Sequence, residues 1–114
     1  MPHDPRKLLY DITEGCAAIR QFCQGRKMED YEADHMLRSA CERQFEIIGE
    51  AMTRLRTIHN DVFEKVPEGS AVIAFRNRLI HGYDSVDSEI VWDVITGKIG
   101  DLEKFTRKLI EEYD

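Results

Sequence analysis

The chain has 114 residues, of which 42% are hydrophobic and 33% charged, so it can bury one core without disulfide or metal cross-links. Its formal net charge of −6 excludes the extended basic surface that duplex nucleic acid requires, and restricts any nucleic-acid contact to a few local cations or to charge borrowed from a partner. With no signal peptide and no apolar run long enough to cross a bilayer, residues 1–114 are expected to form one cytoplasmic domain.

The first half of the chain predicts two helices. Asp4 and Pro5 form a helix start, with a carboxylate at the N-cap and proline at the first helical position. Apolar residues then recur at three- and four-residue steps over 8–23. A second helical pattern runs without proline from about residue 28 to residue 58, which indicates one long helix or a kinked one. Gly49 lies inside this pattern, and because glycine in a helix costs about 1 kcal/mol relative to alanine, we expect it to permit a close helix crossing or a bend.

The second half predicts a loop and two further helices. Residues 59–70 are loop-like, and Ser70 can cap a third helix that must end near Gly82. After a short turn, Ser85 or Asp87 can cap the last helix. No stretch alternates in the manner of a strand, so the predicted fold is all-α, a four- or five-helix up-and-down bundle.

The three cysteines, Cys16, Cys23 and Cys41, are an odd count and contain no C-x-x-C pair. Each lies in a helical pattern, which favours free thiols packed as small hydrophobic residues in a reducing compartment. The sequence has no Gly-rich phosphate loop and no Cys/His cluster at zinc spacing. We therefore expect neither a metal nor a cofactor.

The segment from Phe75 to Tyr83 concentrates the chemically active side chains of the chain. It brings a guanidinium, an amide, an imidazole and a phenol together in one short stretch, through Arg76, Asn77, His81 and Tyr83. RNA carries its own nucleophile, the ribose 2′-hydroxyl. Cleavage therefore needs an acid or base and a cation for the charge that develops on the phosphate oxygens, and His81 and Arg76 are the minimum set for this. Asn77 could hydrogen-bond the phosphate or position the imidazole.

The spacing within this segment raises a geometric difficulty. Arg76 and His81 are five positions apart, about 140° around an ideal helix, whereas Arg76 and Tyr83 nearly eclipse each other. The two groups converge better if the helix loosens before Gly82, or if two copies of the chain meet across a two-fold axis. A composite site in a homodimer follows from the second arrangement. The alternative is that Arg76 and His81 make ordinary surface or capping contacts, with His81 favourably placed at a helix C-terminus.

Two carboxylates precede the segment. Glu46 and Glu50 are one helical turn apart on the same face. They are candidates for orienting the guanidinium groups of Arg76 and Arg78, and the alternative is a solvated acidic stripe.

The spacing of Arg76, His81 and Tyr83 resembles the R-x₄-H-x-Y motif of the HepT-like branch of HEPN domains. The resemblance covers nearly the whole chain and includes residues 48–51 before the motif and Val91-Trp92 after it. All motif positions are intact.

This resemblance implies a homodimeric helical bundle that acts as a metal-independent endoribonuclease toxin. Its implied partner is a minimal nucleotidyltransferase that serves as the antitoxin. Arg76 and His81 correspond to the catalytic residues, Asn77 to the polar position after the arginine, and Tyr83 to the tyrosine that the partner modifies with AMP. A competing hypothesis is a non-catalytic helical subunit that binds the nucleotidyltransferase and presents substrate or Tyr83 to it.

Overall fold

The computed structural model of the protein describes residues 4–81 and 86–113. All regular structure in these ranges is helical, which confirms the all-α prediction, but the predicted count of four or five helices is wrong. The seven helices are α1 (Arg6–Phe22), α2 (Met28–Ala33), α3 (His35–Ile58), α4 (Asn60–Phe63), α5 (Gly69–His81), α6 (Ser88–Gly97) and α7 (Ile99–Glu111). None of these helices combines the length and the hydropathy that a membrane crossing requires.

The second predicted helix is divided at Asp34, where the backbone is extended (φ −109°, ψ 98°). The Asp34 carboxylate accepts a hydrogen bond of 3.1 Å from the backbone N–H of Leu37 and so caps α3. Because α2 keeps its apolar residue Tyr31 buried, the apolar pattern runs through the break. Periodicity alone therefore did not reveal a boundary of a single residue.

The last predicted helix is divided at Lys98, which separates α6 from α7 and has φ −125° and ψ −37°. Gly97 and Gly100 flank this break, and glycine lowers helix propensity. The Lys98 ammonium also lies 3.0 Å from a carboxylate oxygen of Glu68, at the start of α5. The predicted loop at 59–70 contains the one-turn helix α4, whose buried side chains attach it to the core.

The two predicted helix starts have different outcomes. The N-cap of α1 is Pro5, not Asp4, and it has no side-chain capping hydrogen bond, so the predicted start is wrong by one residue. Asp4 still accepts a hydrogen bond of 2.9 Å from the backbone N–H of Arg6, the first residue of α1. Asp87 is the N-cap of α6 and accepts a 2.9 Å hydrogen bond from the backbone N–H of Glu89, which confirms the second start.

Helix α5 begins at Gly69, so Ser70 lies inside its first turn and the prediction that Ser70 caps it is wrong. It remains helical through His81. The predicted end near Gly82 and the alternative cap Ser85 lie outside the described residues.

The core lies between α1, α3 and α7, with α5 packed on α3, and α6 on α2 and α7. Its most buried side chains are Leu9, Ile12, Cys16, Ile19, Tyr31, Cys41, Ile48, Met52, Leu55 and Val62. All three cysteines are free and buried, which confirms their predicted packing role. Burial raises the pKa of the Cys16 thiol to about 12, so this cysteine remains a neutral core residue near neutral pH.

A buried carboxylate joins α1 to α7. Glu103, only 6% exposed, accepts hydrogen bonds from Arg20 Nε (2.9 Å) and Nη2 (3.0 Å) and from Arg107 Nη2 (2.9 Å). Beside it, the hydroxyls of Thr13 and Thr106 are 2.7 Å apart. The hydrogen bonds from Arg20, reinforced by Arg107, hold the pKa of the Glu103 carboxyl below its ordinary value. This seam fixes the two helices against each other.

We expect Glu103→Gln to lower the free energy of unfolding by about 1–3 kcal/mol at pH 7, because two guanidinium groups lose their anionic partner. The folded-state pKa of Glu103 is depressed, so its contribution is present above the ordinary glutamate pKa of 4.5 and is lost as pH falls through the folded-state pKa. Urea unfolding at pH 7 and at a series of pH values falling from about 5 to about 3, which extends below the ordinary glutamate pKa, measures this.

The matched control is Asp11→Asn, which removes the surface ion pair to Lys7 (2.6 Å). That variant should cost about 0.5 kcal/mol or less. Equal costs for the two variants at pH 7, or a Glu103→Gln cost that does not shrink on acidification, would contradict the assignment.

Candidate active site

Helix α5 is held on α3 by its apolar side chains. Ile73 and Leu79 are buried, and Phe75 packs edge-on against Phe45 of α3, with ring centroids 5.1 Å apart and an interplanar angle of 75°. The polar residues of the motif occupy the positions between these anchors. The apolar periodicity of α5 therefore determines which faces of the helix are left for chemistry.

Arg76 is partly buried where α5 crosses α3 at Gly49. An ideal Cβ on Gly49 would lie 2.3 Å from both Cβ and Cγ of Arg76. This contact confirms the predicted close helix crossing at Gly49. The guanidinium donates a hydrogen bond of 3.1 Å from Nη1 to Asn77 Oδ1. Its Nε is shielded from solvent and has no hydrogen-bond partner in the described part of the chain.

Asn77 and His81 are exposed and lie one helical turn apart on the same face of α5. Asn77 thus contacts Arg76 directly and shares a face with the imidazole. Because α5 does not loosen before Gly82, Arg76 and His81 remain about 140° apart around the helix axis. One copy of α5 does not by itself direct both groups to a common point.

Glu46 and Glu50 each have an arginine partner on their own helix. Glu46 Oε1 accepts a hydrogen bond of 3.0 Å from Arg43 Nη1, and Glu50 Oε1 lies 3.8 Å from Arg54 Nη2. Glu46 also lines a small cavity of about 60 Å³ together with Glu42, Arg76, Leu79 and Ile80. The structure therefore brings Glu46 near Arg76, whereas the orienting role of the two glutamates stays a prediction.

Arg78 and Tyr83 are the remaining predicted site residues. Arg78 is exposed and makes no hydrogen bond or ion pair with the residues of the described ranges. Tyr83 lies outside those ranges. Within 4–81 and 86–113 no group of three His, Cys, Asp or Glu side chains is arranged to hold a metal ion.

An apolar groove next to the motif was missed by the sequence analysis. The groove has a volume of about 510 Å³, and we call it the α5–α7 groove. Its apolar lining consists mainly of Phe45, Ile48, Ala71, Val72, Phe75, Val94, Ile99, Leu102 and Phe105, with Glu68, Lys98 and Asp101 among its polar residues. Its lining positions on α5 and α7 follow the same apolar periodicity as the core, so the sequence pattern does not distinguish a groove from buried core.

The chain matches the family model described as "Ribonuclease HepT-like" over residues 12–109, a range that contains Arg76, Asn77 and His81. The chain belongs to the Ribonuclease HepT-like family. This confirms the resemblance that was inferred from the R-x₄-H-x-Y spacing. No solved structure matches this HepT-like chain significantly.

Several relatives cover the HepT-like chain almost completely. "Putative RNase TTE0752" of Caldanaerobacter subterraneus subsp. tengcongensis is 32% identical, covering 95% of this chain and 96% of its own length. "Probable ribonuclease HepT" of Thermococcus cleftensis is 32% identical, with 96% and 98% covered. "Putative RNase MJ0127" of Methanocaldococcus jannaschii is 29% identical, with 97% and 91% covered. Ribonuclease function is thus the shared theme of these names.

Proposed function

We propose that this protein is a cytoplasmic, metal-independent endoribonuclease that cleaves single-stranded RNA and acts as the toxin of a pair with a minimal nucleotidyltransferase. The observation that carries the proposal is the family match over residues 12–109, with Arg76 and His81 both present in it. The two groups lie on α5, Arg76 partly buried and His81 exposed.

In the proposed reaction the ribose 2′-oxygen attacks the adjacent phosphorus and the bond from phosphorus to the 5′-oxygen breaks. The products are a 2′,3′-cyclic phosphate and a 5′-hydroxyl. His81 serves as the base that takes the 2′-hydroxyl proton or as the acid that protonates the leaving oxygen. Arg76 stabilises the charge on the non-bridging phosphate oxygens, and Asn77, which accepts its Nη1 hydrogen bond at 3.1 Å, supports it.

The proposed site is completed by a second copy of the chain. Because α5 is regular through His81, the arginine and the histidine diverge within one copy. The α5–α7 groove supports the same arrangement, since it is apolar, open and lined by Phe75 immediately next to Arg76. A second copy seated in this groove would cover the apolar surface and bring its own α5 towards the first.

The acidic composition supports a short single-stranded substrate. A net charge of −6 does not allow a long phosphate-tracking surface. The two arginines of α5, Arg76 and Arg78, are enough for a compact site that holds a small number of nucleotides.

The proposed off switch is transfer of AMP to Tyr83 by the nucleotidyltransferase. The tyrosine oxygen forms a bond to the α-phosphorus of ATP, and pyrophosphate leaves. The added group is a bulky anion on the residue that follows His81 by two positions. It would compete with an RNA phosphate for Arg76 by charge and by volume.

A second candidate function is a non-catalytic subunit that binds the nucleotidyltransferase and presents substrate or Tyr83 to it. The divergence of Arg76 and His81 within one helix favours this alternative. It shares the partner and the modification with the first proposal, so only RNA cleavage separates the two.

We expect purified, unmodified protein to cleave single-stranded RNA in the presence of EDTA and to leave 2′,3′-cyclic phosphate ends. His81→Ala should slow cleavage by about 10²–10⁴-fold through loss of proton transfer, and Arg76→Ala by about 10²–10³-fold through loss of charge stabilisation. Gel analysis of end-labelled RNA with defined termini measures both rates.

His35→Ala is the matched control, since His35 is an exposed histidine at the start of α3. It should cleave at the wild-type rate. Cleavage by His81→Ala at that same rate would contradict the ribonuclease assignment. A wild type that cleaves no faster than His81→Ala but co-purifies with the nucleotidyltransferase would support the non-catalytic subunit.

The two-copy site predicts that Ala71→Glu disrupts dimerisation. Ala71 is exposed and lines the α5–α7 groove, so a glutamate there would bury a charge in the interface and weaken the dimer by at least about a hundredfold. Light scattering over a concentration series measures the change, and cleavage should fall with dimer content.

Ala74→Glu provides the control, because Ala74 is an exposed alanine of α5 that does not line the groove. It should remain dimeric. A monomeric wild type would contradict the composite site. A dimer that survives Ala71→Glu would place the interface elsewhere and leave the groove to another partner, such as the nucleotidyltransferase.

Modification of Tyr83 is tested by intact mass after co-expression with a minimal nucleotidyltransferase. We expect a gain of one or more AMP units and a loss of RNA cleavage in the modified protein. Tyr83→Phe should abolish the gain, because it removes the acceptor oxygen. Tyr113→Phe, at an exposed tyrosine far along the chain, should not change it. AMP addition to Tyr83→Phe would assign the modification to another residue.

A further inference from the structure

The crossing of α3 and α5 leaves no room for a side chain at Gly49. An ideal Cβ on Gly49 would lie 2.3 Å from Cβ, 2.3 Å from Cγ and 3.0 Å from Cδ of Arg76. Separations below 3.0 Å do not occur between a real Cβ and its neighbours. The whole aliphatic stem of Arg76 therefore rests on the backbone of α3, and it does so only because residue 49 is glycine.

The nature of the blocking atoms distinguishes Gly49 from the other helical glycines. At Gly15 the nearest atoms to an added Cβ are Cγ1 and Cδ1 of Ile48, at 2.7 and 3.1 Å, and a side chain can rotate away. At Gly97 and Gly100 nothing lies within 4 Å. At Gly49 the nearest atoms are Cβ and Cγ of Arg76, both at 2.3 Å, and the Cβ is fixed to the backbone of α5. Relief there requires the helix itself to move.

The stem contact also determines how the guanidinium is held. With the stem against α3, Arg76 Nε is shielded from solvent and lacks a hydrogen-bond partner among the described residues. The guanidinium is held instead through Nη1, which donates a 3.1 Å hydrogen bond to Asn77 Oδ1. An arginine is normally a flexible side chain that loses rotamer freedom when it binds an anion. Here much of that freedom is already removed before any ligand arrives.

We propose that Gly49 is a positioning residue for the active site. Because Gly49 lacks a side chain, the aliphatic stem of Arg76 can pack against the backbone of α3. This packing holds the guanidinium in position before an RNA phosphate binds. The statement rests on the proposed ribonuclease function for its consequence, but the seating of Arg76 can be measured without RNA. A preset cation stabilises developing charge without reorganisation at the moment of reaction.

The experiment is proton–nitrogen NMR of arginine Nε–Hε groups in the full chain, with the Arg76 signal identified by its absence in Arg76→Lys. In the wild type the Arg76 Hε should exchange slowly with water because Nε is shielded. Gly49→Ala should increase that exchange rate by at least about tenfold, because the stem leaves its seat. The control Gly97→Ala, in open space, should leave it unchanged.

Cleavage of single-stranded RNA supplies the functional readout. Gly49→Ala should lower the single-turnover rate towards that of Arg76→Gly. It should lower the rate no further in an Arg76→Gly background, where the Cβ, Cγ and Cδ that an alanine at 49 would meet are absent. Gly15→Ala, which disturbs α3 at Ile48 and not at Arg76, should keep Arg76 Hε protected. An unchanged Hε exchange rate in Gly49→Ala, or additive losses of rate in the double variant, would overturn the proposal.

Two further outcomes remain decisive. If the wild type does not cleave RNA while Gly49→Ala still exposes the Arg76 Hε, the ribonuclease function fails and the seating of Arg76 stands. If Gly49→Ala does not fold, Gly49→Ala/Arg76→Gly replaces it, because glycine at 76 removes Cβ, Cγ and Cδ together. Recovery of folding in that double variant supports the proposal, and failure to recover refutes it.

Discussion

The contact between Gly49 and Arg76 is the constraint on which the rest of the site depends. Helix α5 packs mainly on α3, and the contact permits close approach at one point, where a Cβ would come within 2.3 Å of Arg76. That point fixes how closely α5 approaches α3. The edge-on contact between Phe75 and Phe45 fixes the rotation of α5 about its own axis. The positions of Asn77 and His81 then follow from helix geometry alone, because α5 is regular to its last described residue.

This rigidity is the physical basis for the proposal that two chains form the site. A helix that is held at its centre and remains regular does not bend to bring Arg76 towards His81. The proposed composite site therefore draws on a second α5, and the apolar α5–α7 groove, with a volume of about 510 Å³, lies next to the motif. The same reasoning makes the alternative coherent. Without a second copy, the chain presents a cation and an imidazole on separate faces.

Sequence reasoning succeeded where the physical cause is local. Asp87 caps α6 through a hydrogen bond from the backbone N–H of Glu89, two positions later, and such a contact can be predicted from neighbouring residues in the sequence. It failed at Asp34 and Lys98, because a one-residue break leaves the apolar period intact on both sides. The sequence also did not predict which residue contacts Gly49. A glycine inside a helix indicates a close helix crossing, but only the three-dimensional packing shows that the neighbouring residue is Arg76. The groove was missed because periodicity counts apolar positions without stating how far apart two helices lie.

The local charge around α5 reconciles an acidic chain with an anionic substrate. Glu46 and Glu50, the carboxylates expected to face the motif, are engaged by Arg43 and Arg54 of their own helix. Exposed pairs of this kind contribute little to stability, but each one offsets a negative charge near the motif. Glu42 is the other carboxylate that lines the small cavity beside Arg76. The net charge of −6 therefore describes the surface as a whole, whereas an approaching phosphate is governed by the few side chains within a Debye length of the guanidinium.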